Sequence, residues 1–136
     1  MKPTRRLRSF QGSTMAEAAI TLPVVLLAAF AMINLALAGF ASVNAANAAN
    51  YGARAGSVAQ TGAVGAALSA ANRAVSTAGV GEYRVSASGG GAPGVQISVS
   101  VTWQVPNYFS GLAAFFGVGG EDFSGTVRSS FRQEGW

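Results

Sequence analysis

The stretch AAITLPVVLLAAFAMINLALAGFASV, Ala18 to Val43, is almost continuously apolar, and no charged residue lies between Glu17 and Arg54. A helix of about twenty apolar residues crosses the hydrocarbon core of a bilayer, because it satisfies its own backbone donors and acceptors where no water can. This run therefore predicts a membrane-spanning helix. Pro23 falls near its start, where a missing backbone donor is tolerated or produces a kink.

Outward from this run the chain changes character on both sides. Beyond it, Asn44, Asn47 and Asn50 recur among alanines, and Tyr51, Arg54 and Gln60 follow. The same helix is thus expected to emerge into water. From Ser13 to about Gln60 it would be roughly 70 Å long at 1.5 Å per residue, well over twice one crossing. A second helix is expected over Val64–Thr77, closed by Gly79 and Gly81. After Gly81 the period becomes two. Tyr83, Val85 and Ala87 alternate with polar residues, and Gly89 to Gly94 makes a loop. Val95, Ile97, Val99, Val101, Trp103 and Val105 then alternate against Gln96, Ser98, Ser100, Thr102 and Gln104, the pattern of a half-buried strand with those apolar residues on its inner face. Pro106 ends it, and Tyr108–Phe116 reads as an aromatic connection with a helical turn or two. Phe123, Val127 and Phe131 mark a third strand, weakened by Gly125 and Ser129 on its apolar side. The expected fold class is α+β, a long N-terminal and partly transmembrane helix packed on a small antiparallel sheet of about three strands. Its parts are a basic leader (1–12), the transmembrane helix with its outer extension (13–60), and a helix plus β-rich domain (61–136).

Composition limits the function. Only 10% of the 136 residues are charged and half are hydrophobic, which suits a membrane-associated chain. The net charge of +4 does not indicate nucleic acid as a partner. Lys2, Arg5, Arg6 and Arg8 all precede Gly12, and the acidic and basic residues of the remainder balance. Cationic residues ahead of a span hold that end in the cytoplasm and place the C-terminal part outside. Without Cys or His there is no disulfide, no ordinary zinc site and no imidazole base. The scattered acids leave no nucleophile with a base, so neither an enzyme nor a cofactor or metal site is expected. Gly89-x-Gly91-x-x-Gly94 fits a dinucleotide fingerprint as a string only, since it precedes a strand and contains Pro93. Glu121–Asp122 reads as a solvated turn.

The segment ahead of the span, RSFQGSTMAE (Arg8–Glu17), resembles the precursors of type IV pilin-like proteins. In these a peptidase cuts after a Gly, and the fifth residue of the mature chain is acidic. Gly12, Ser13 and Glu17 match that spacing. Together with the helix continuing into Ala49-Asn50-Tyr51-Gly52-Ala53-Arg54-Ala55, the alternating strand ending at Val105-Pro106, the aromatic turn and the Arg128–Glu134 end, the chain is similar to the TadE family of the tight-adherence (Flp) pilus system. The leader and helix carry the specific part of that likeness, with Gly52-Ala53-Arg54 similar to the family's small-residue-plus-Arg signature, and the β region matches in pattern. Asn34 inside the span departs from an all-apolar one, and the length exceeds that of the short major Flp pilins, which points to a minor pilin or assembly component.

The resemblance implies a pseudopilin of pilus assembly, surface adhesion and biofilm, cleaved between Gly12 and Ser13 by a prepilin peptidase. Its partners would be other pilins and pseudopilins, the inner-membrane assembly platform and the lipid bilayer. It would sit in the bacterial inner membrane by a single pass, open to incorporation into a surface pilus. Glu17 would pair with the new α-amino group of a neighbouring subunit, or alternatively complete a capping box, Thr14-Met15-Ala16-Glu17. Asn34 would bond a neighbouring helix or its own backbone carbonyls, and Gly39 would permit close helix packing. A rival reading takes Ala36-Leu37-Ala38 as a secretory cleavage site releasing a soluble binding domain. A second rival keeps the helix as an uncut anchor for a binding domain unrelated to pili.

Overall fold

A computed structural model describes the backbone of residues 8–115, 117 and 120–134, and the side chains among them from Thr14 onward except those of 112, 113 and 115. The first element is the long apolar helix α1, Arg8–Val58, which runs through Pro23 without a break in assignment. Helix α2 covers Ala63–Val75, β1 Glu82–Gly89, β2 Gln96–Val105, α3 Ser110–Phe115 and β3 Phe123–Arg132. The fold is α+β, and each expected element is present within a few residues of its expected bounds.

The chain divides into two compact units, Met1–Ile33 and Asn34–Trp136. The described residues of the first are all helical. Its large apolar side chains are exposed on every side, among them Met15, Ile20, Leu22, Val24, Val25, Phe30 and Met32. A helix that is apolar all round needs lipid or protein about it. By length and composition, Thr14–Val58 contains a segment able to cross a membrane.

In the second unit the three strands form an antiparallel meander in the order β1-β2-β3. Alternation puts Ile97, Val99 and Val101 on the inner face of the central strand, and all three are fully buried. They pack with Ala45, Ala48, Ala49 and Ala53 of α1 and Ala63, Ala67 and Ala71 of α2. Val95 does not belong to this face. It precedes β2, where the backbone is still turning from the hairpin, and is 43% exposed. Trp103 lies at the core's edge, partly buried. Gly89, Gly90 and Gly91 all have positive φ, so the β1–β2 loop uses backbone shapes that side-chain-bearing residues avoid.

The gaps on the apolar side of β3 have physical occupants. Gly125 faces Trp103 in register, and a Cβ there would come within 2.9 Å of the indole. Ser129 donates its hydroxyl to Asn50 Oδ1 of α1 at 2.6 Å. The missing apolar side chains of β3 thus make room for a ring from β2 and a polar tie to α1.

Candidate functional site

The residues expected from the sequence to matter, Gly12, Ser13, Glu17, Asn34 and Gly39, all fall on α1. Within the second unit, Ala38, Ala41, Ala45, Ala48, Gly52 and Gly56 recur at intervals of three and four, which brings them to one side of the helix, and all six are buried. Only small residues fit this seam. A Cβ on Gly52 would lie 2.8 Å from both the Ala67 carbonyl oxygen and the Ala71 Cβ, and one on Gly56 2.7 Å from Ile97 Cδ1 and 2.9 Å from Ala67 Cβ. The Gly52-Ala53-Arg54 stretch therefore has a structural cause. Gly52 lets α2 approach, Ala53 fills the core, and Arg54 faces solvent.

The opposite side of α1 is open and mostly apolar. Ala36, Gly39, Phe40 and Val43 line a shallow groove, where Phe40 is 66% and Val43 58% exposed. A Cβ on Gly39 would meet nothing within 4 Å, so no neighbour among the described residues requires glycine there. Further along, Asn47, Tyr51 and Arg54 continue the exposed side.

Gly12 and Ser13 fall within the span of α1, but their side chains, like residues 1–7 of the leader, lie outside the described residues. Glu17 is exposed. Because α1 starts at Arg8 and has no acidic residue in its first turn, Glu17 of the uncut chain stands in the helix interior, away from the position a capping box requires. Its carbonyl accepts the Thr21 hydroxyl at 2.8 Å.

Asn34 has an intramolecular partner that its sequence neighbours do not suggest. It is 4% exposed and donates from Nδ2 to Asn107 Oδ1 at 3.1 Å. The same Asn107 oxygen accepts the Phe109 N–H at 3.0 Å, folding the chain after β2 into an Asx-type turn. Asp122 closes the other side, accepting the Asn107 N–H on Oδ1 and the Gln104 side-chain amide on Oδ2. The Gln104 bond, and after it the Asn107 N–H, hold the Asp122 carboxyl below the usual carboxylate range.

Two further residues matter that single-residue reading passes over. Gln133 is 5% exposed. Its Nε2 donates to the Ala59 carbonyl at 2.7 Å and its Oε1 accepts the Gly91 N–H at 2.7 Å, so it ties the end of α1 to the β1–β2 loop. Asn50, exposed on the helix, holds β3 through Ser129. Their only signal in sequence is polarity among small residues, which is also what a solvated surface looks like. Among the described residues no three acidic, His or Cys side chains gather as a metal site would require. What α1 offers is surface, one side filled by its own chain and the other open.

No curated protein and no solved structure matches the chain. A family model described as TadE-like protein matches residues 12–54. That range begins at the expected cleavage glycine and ends at Arg54, and so takes in the acidic Glu17, the apolar run, the open groove and most of the small-residue seam. Such a match suggests a pilin-like protein associated with tight-adherence pili. Over these residues, from Gly12 to Arg54, the chain is similar to TadE-like proteins.

Proposed function

We propose that this chain is a minor pilin-like subunit, or assembly factor, of a tight-adherence pilus. A prepilin peptidase matures it between Gly12 and Ser13, and α1 holds it in the inner membrane with its sheet outside. The observation that carries the reading is the coincidence of a TadE-like match over residues 12–54 with a long exposed apolar stretch of helix inside it, from Ala18 to Ile33. The basic leader sets the orientation, since Lys2, Arg5, Arg6 and Arg8 stay on the cytoplasmic side. The role is structural and not catalytic.

Cleavage changes what Glu17 does. Removing residues 1–12 makes Ser13 the helix start, so Glu17 moves from the interior of α1 to a place one turn from its start, near the positive end of the helix that favours a carboxylate. The new α-amino group is positive at neutral pH, its reference pKa being about 8, and a charge at an apolar edge needs a partner. Glu17 of a neighbouring subunit supplies one, in surroundings where charge pairs are stronger than in water. This pairing would set the axial register between helices. The groove at Ala36, Gly39, Phe40 and Val43 would receive the neighbour's helix. Other pilins and pseudopilins and the assembly platform are the partners so implied.

The test is Glu17→Gln, which keeps side-chain hydrogen bonding and removes the charge. The variant should insert and be cleaved as wild type, yet lose co-purification with other pilin-like subunits and lower surface piliation. Normal co-purification and piliation would end the pairing model.

A further inference from the structure

The sheet of the second unit ends at β3, and the outer edge of that strand pairs with no other strand among the described residues. Along its ten residues, every second one therefore aims its N–H and C=O away from the sheet. Ser129 is bonded to Asn50 at 2.6 Å, and just past the strand Glu134 donates its N–H to the Ser57 carbonyl at 2.8 Å. β3 and this part of α1 thus run side by side in the same direction. Two features of the edge exceed what a solvated margin requires. On the inner face Phe131 is 38% exposed and Phe123 and Val127 are only half-buried, so the apolar row stops unfinished at β3. On the outer face β3 carries Arg128 and Arg132 and no acid; both are exposed, and neither has an ion pair among the described residues.

We propose that the open edge of β3 takes an extended acidic segment of another protein as a fourth strand, its apolar side chains continuing the inner face beyond Phe131 and its carboxylates meeting Arg128 and Arg132 on the outer face. Main-chain bonds supply affinity in such strand addition, and alternate side chains supply specificity. Charges on an edge also guard it against indiscriminate pairing. Here the guard is selective, for two arginines repel a cationic strand and attract an anionic one. Arg54, one turn beyond Asn50 on the same helix face, is exposed as well and adds a third cation beside the edge. The nearest acids, Asp122 and Glu134, stand outside the two ends of the strand, and Asp122 is held by Gln104 and Asn107. The other edge, β1, sets Glu82 against Arg84 and has no such preference. A second copy of this chain fits poorly through its own β3, because arginine would then approach arginine. The surface belongs to the second unit alone, and the proposal holds whether or not the chain serves a pilus.

The probe is a capped peptide of alternating valine and glutamate, matched to the ten residues of β3, with an alternating valine and lysine peptide as control. Each is added to the full-length protein in uncharged detergent, and binding is followed together with amide hydrogen exchange. The glutamate peptide should bind on the order of tenfold more tightly than the lysine peptide, two cross-strand charge pairs having changed sign. It should slow exchange along β3 and leave β1 unchanged. The double variant Arg128→Glu, Arg132→Glu alters only exposed side chains and should reverse the preference between the peptides. Equal affinity for both peptides, or binding of neither, overturns the proposal. Binding that leaves β3 exchange unchanged is charge attraction without strand addition and overturns it too, as does protection that falls on β1. If β3 is already protected without peptide, and more so at higher protein concentration, a second copy occupies the edge and the acidic partner is refuted.

Discussion

Trp103 and Gly125 face one another across β2 and β3, and neither is intelligible alone. As a single letter, Gly125 reads as a defect in an apolar strand face. In the fold it is the place where an indole lies against backbone. Gly125→Val should push the ring outward and cost about 1–3 kcal/mol, as overpacked contacts do. In a Trp136→Phe background the emission of Trp103 should shift to the red, and unchanged emission and stability would contradict the packing. Asp122 gives a pH-dependent expectation at the same scale. Its folded pKa is depressed by the Gln104 and Asn107 hydrogen bonds, so its contribution is complete above the unfolded value, about 3.9, and is lost as pH falls through the lower folded value. The Asn107 amide should therefore exchange faster as the pH falls below about 4, beyond the intrinsic trend, and Asp122→Asn should remove that pH dependence. Alternation along β2 makes Ile97, Val99 and Val101 legible as core in the sequence itself. Asn107 and Gln133 were not, because a half-buried or buried polar residue is recognised by partners far away in sequence.

Among the elements, α1 and β2 were readable because each repeats its own period over many residues, whereas the way α2 lies on α1 was not. That contact depends on what glycine lacks. Gly52 and Gly56 read as ordinary members of an Ala-rich helix until Ala67, Ala71 and Ile97 are seen against them. Gly56→Leu must displace either α2 or Ile97, and the expected loss is at least about 1–3 kcal/mol. Gly39→Ala is its control, for the open side has room. It should leave the thermal midpoint of the detergent-solubilised protein unchanged or slightly raised, since Ala is the better helix former, while Gly56→Leu lowers it, and an equal loss at both sites would contradict the assignment of the two sides. The end of α1 was expected near Gln60 and falls at Val58, where Ser57 accepts the Glu134 N–H through its carbonyl at 2.8 Å and Gln133 holds Ala59. The helix stops where the C-terminal segment binds it.

At the scale of the whole molecule, the chain has one unit whose described residues are helix and need an apolar surrounding, and one that supplies its own core. The likeness to TadE-like proteins covers 12–54, a range with residues in both units. The open groove from Ala36 to Val43 belongs to the second unit and faces neither its sheet nor α2. In the proposed subunit it is the surface left for neighbours. Everything specific to a pilin in this account depends on the cut that converts an ordinary anchor into a chain beginning at Ser13. The most direct measurement is the N-terminal residue of the protein recovered from the membrane and from sheared surface fractions. Ser13 in both, with Gly12→Val left at precursor size, is the predicted result. A chain that begins at Met1 would make α1 a permanent anchor, one that begins at Gly39 would make the protein a secreted domain, and either would contradict the pilin-like reading.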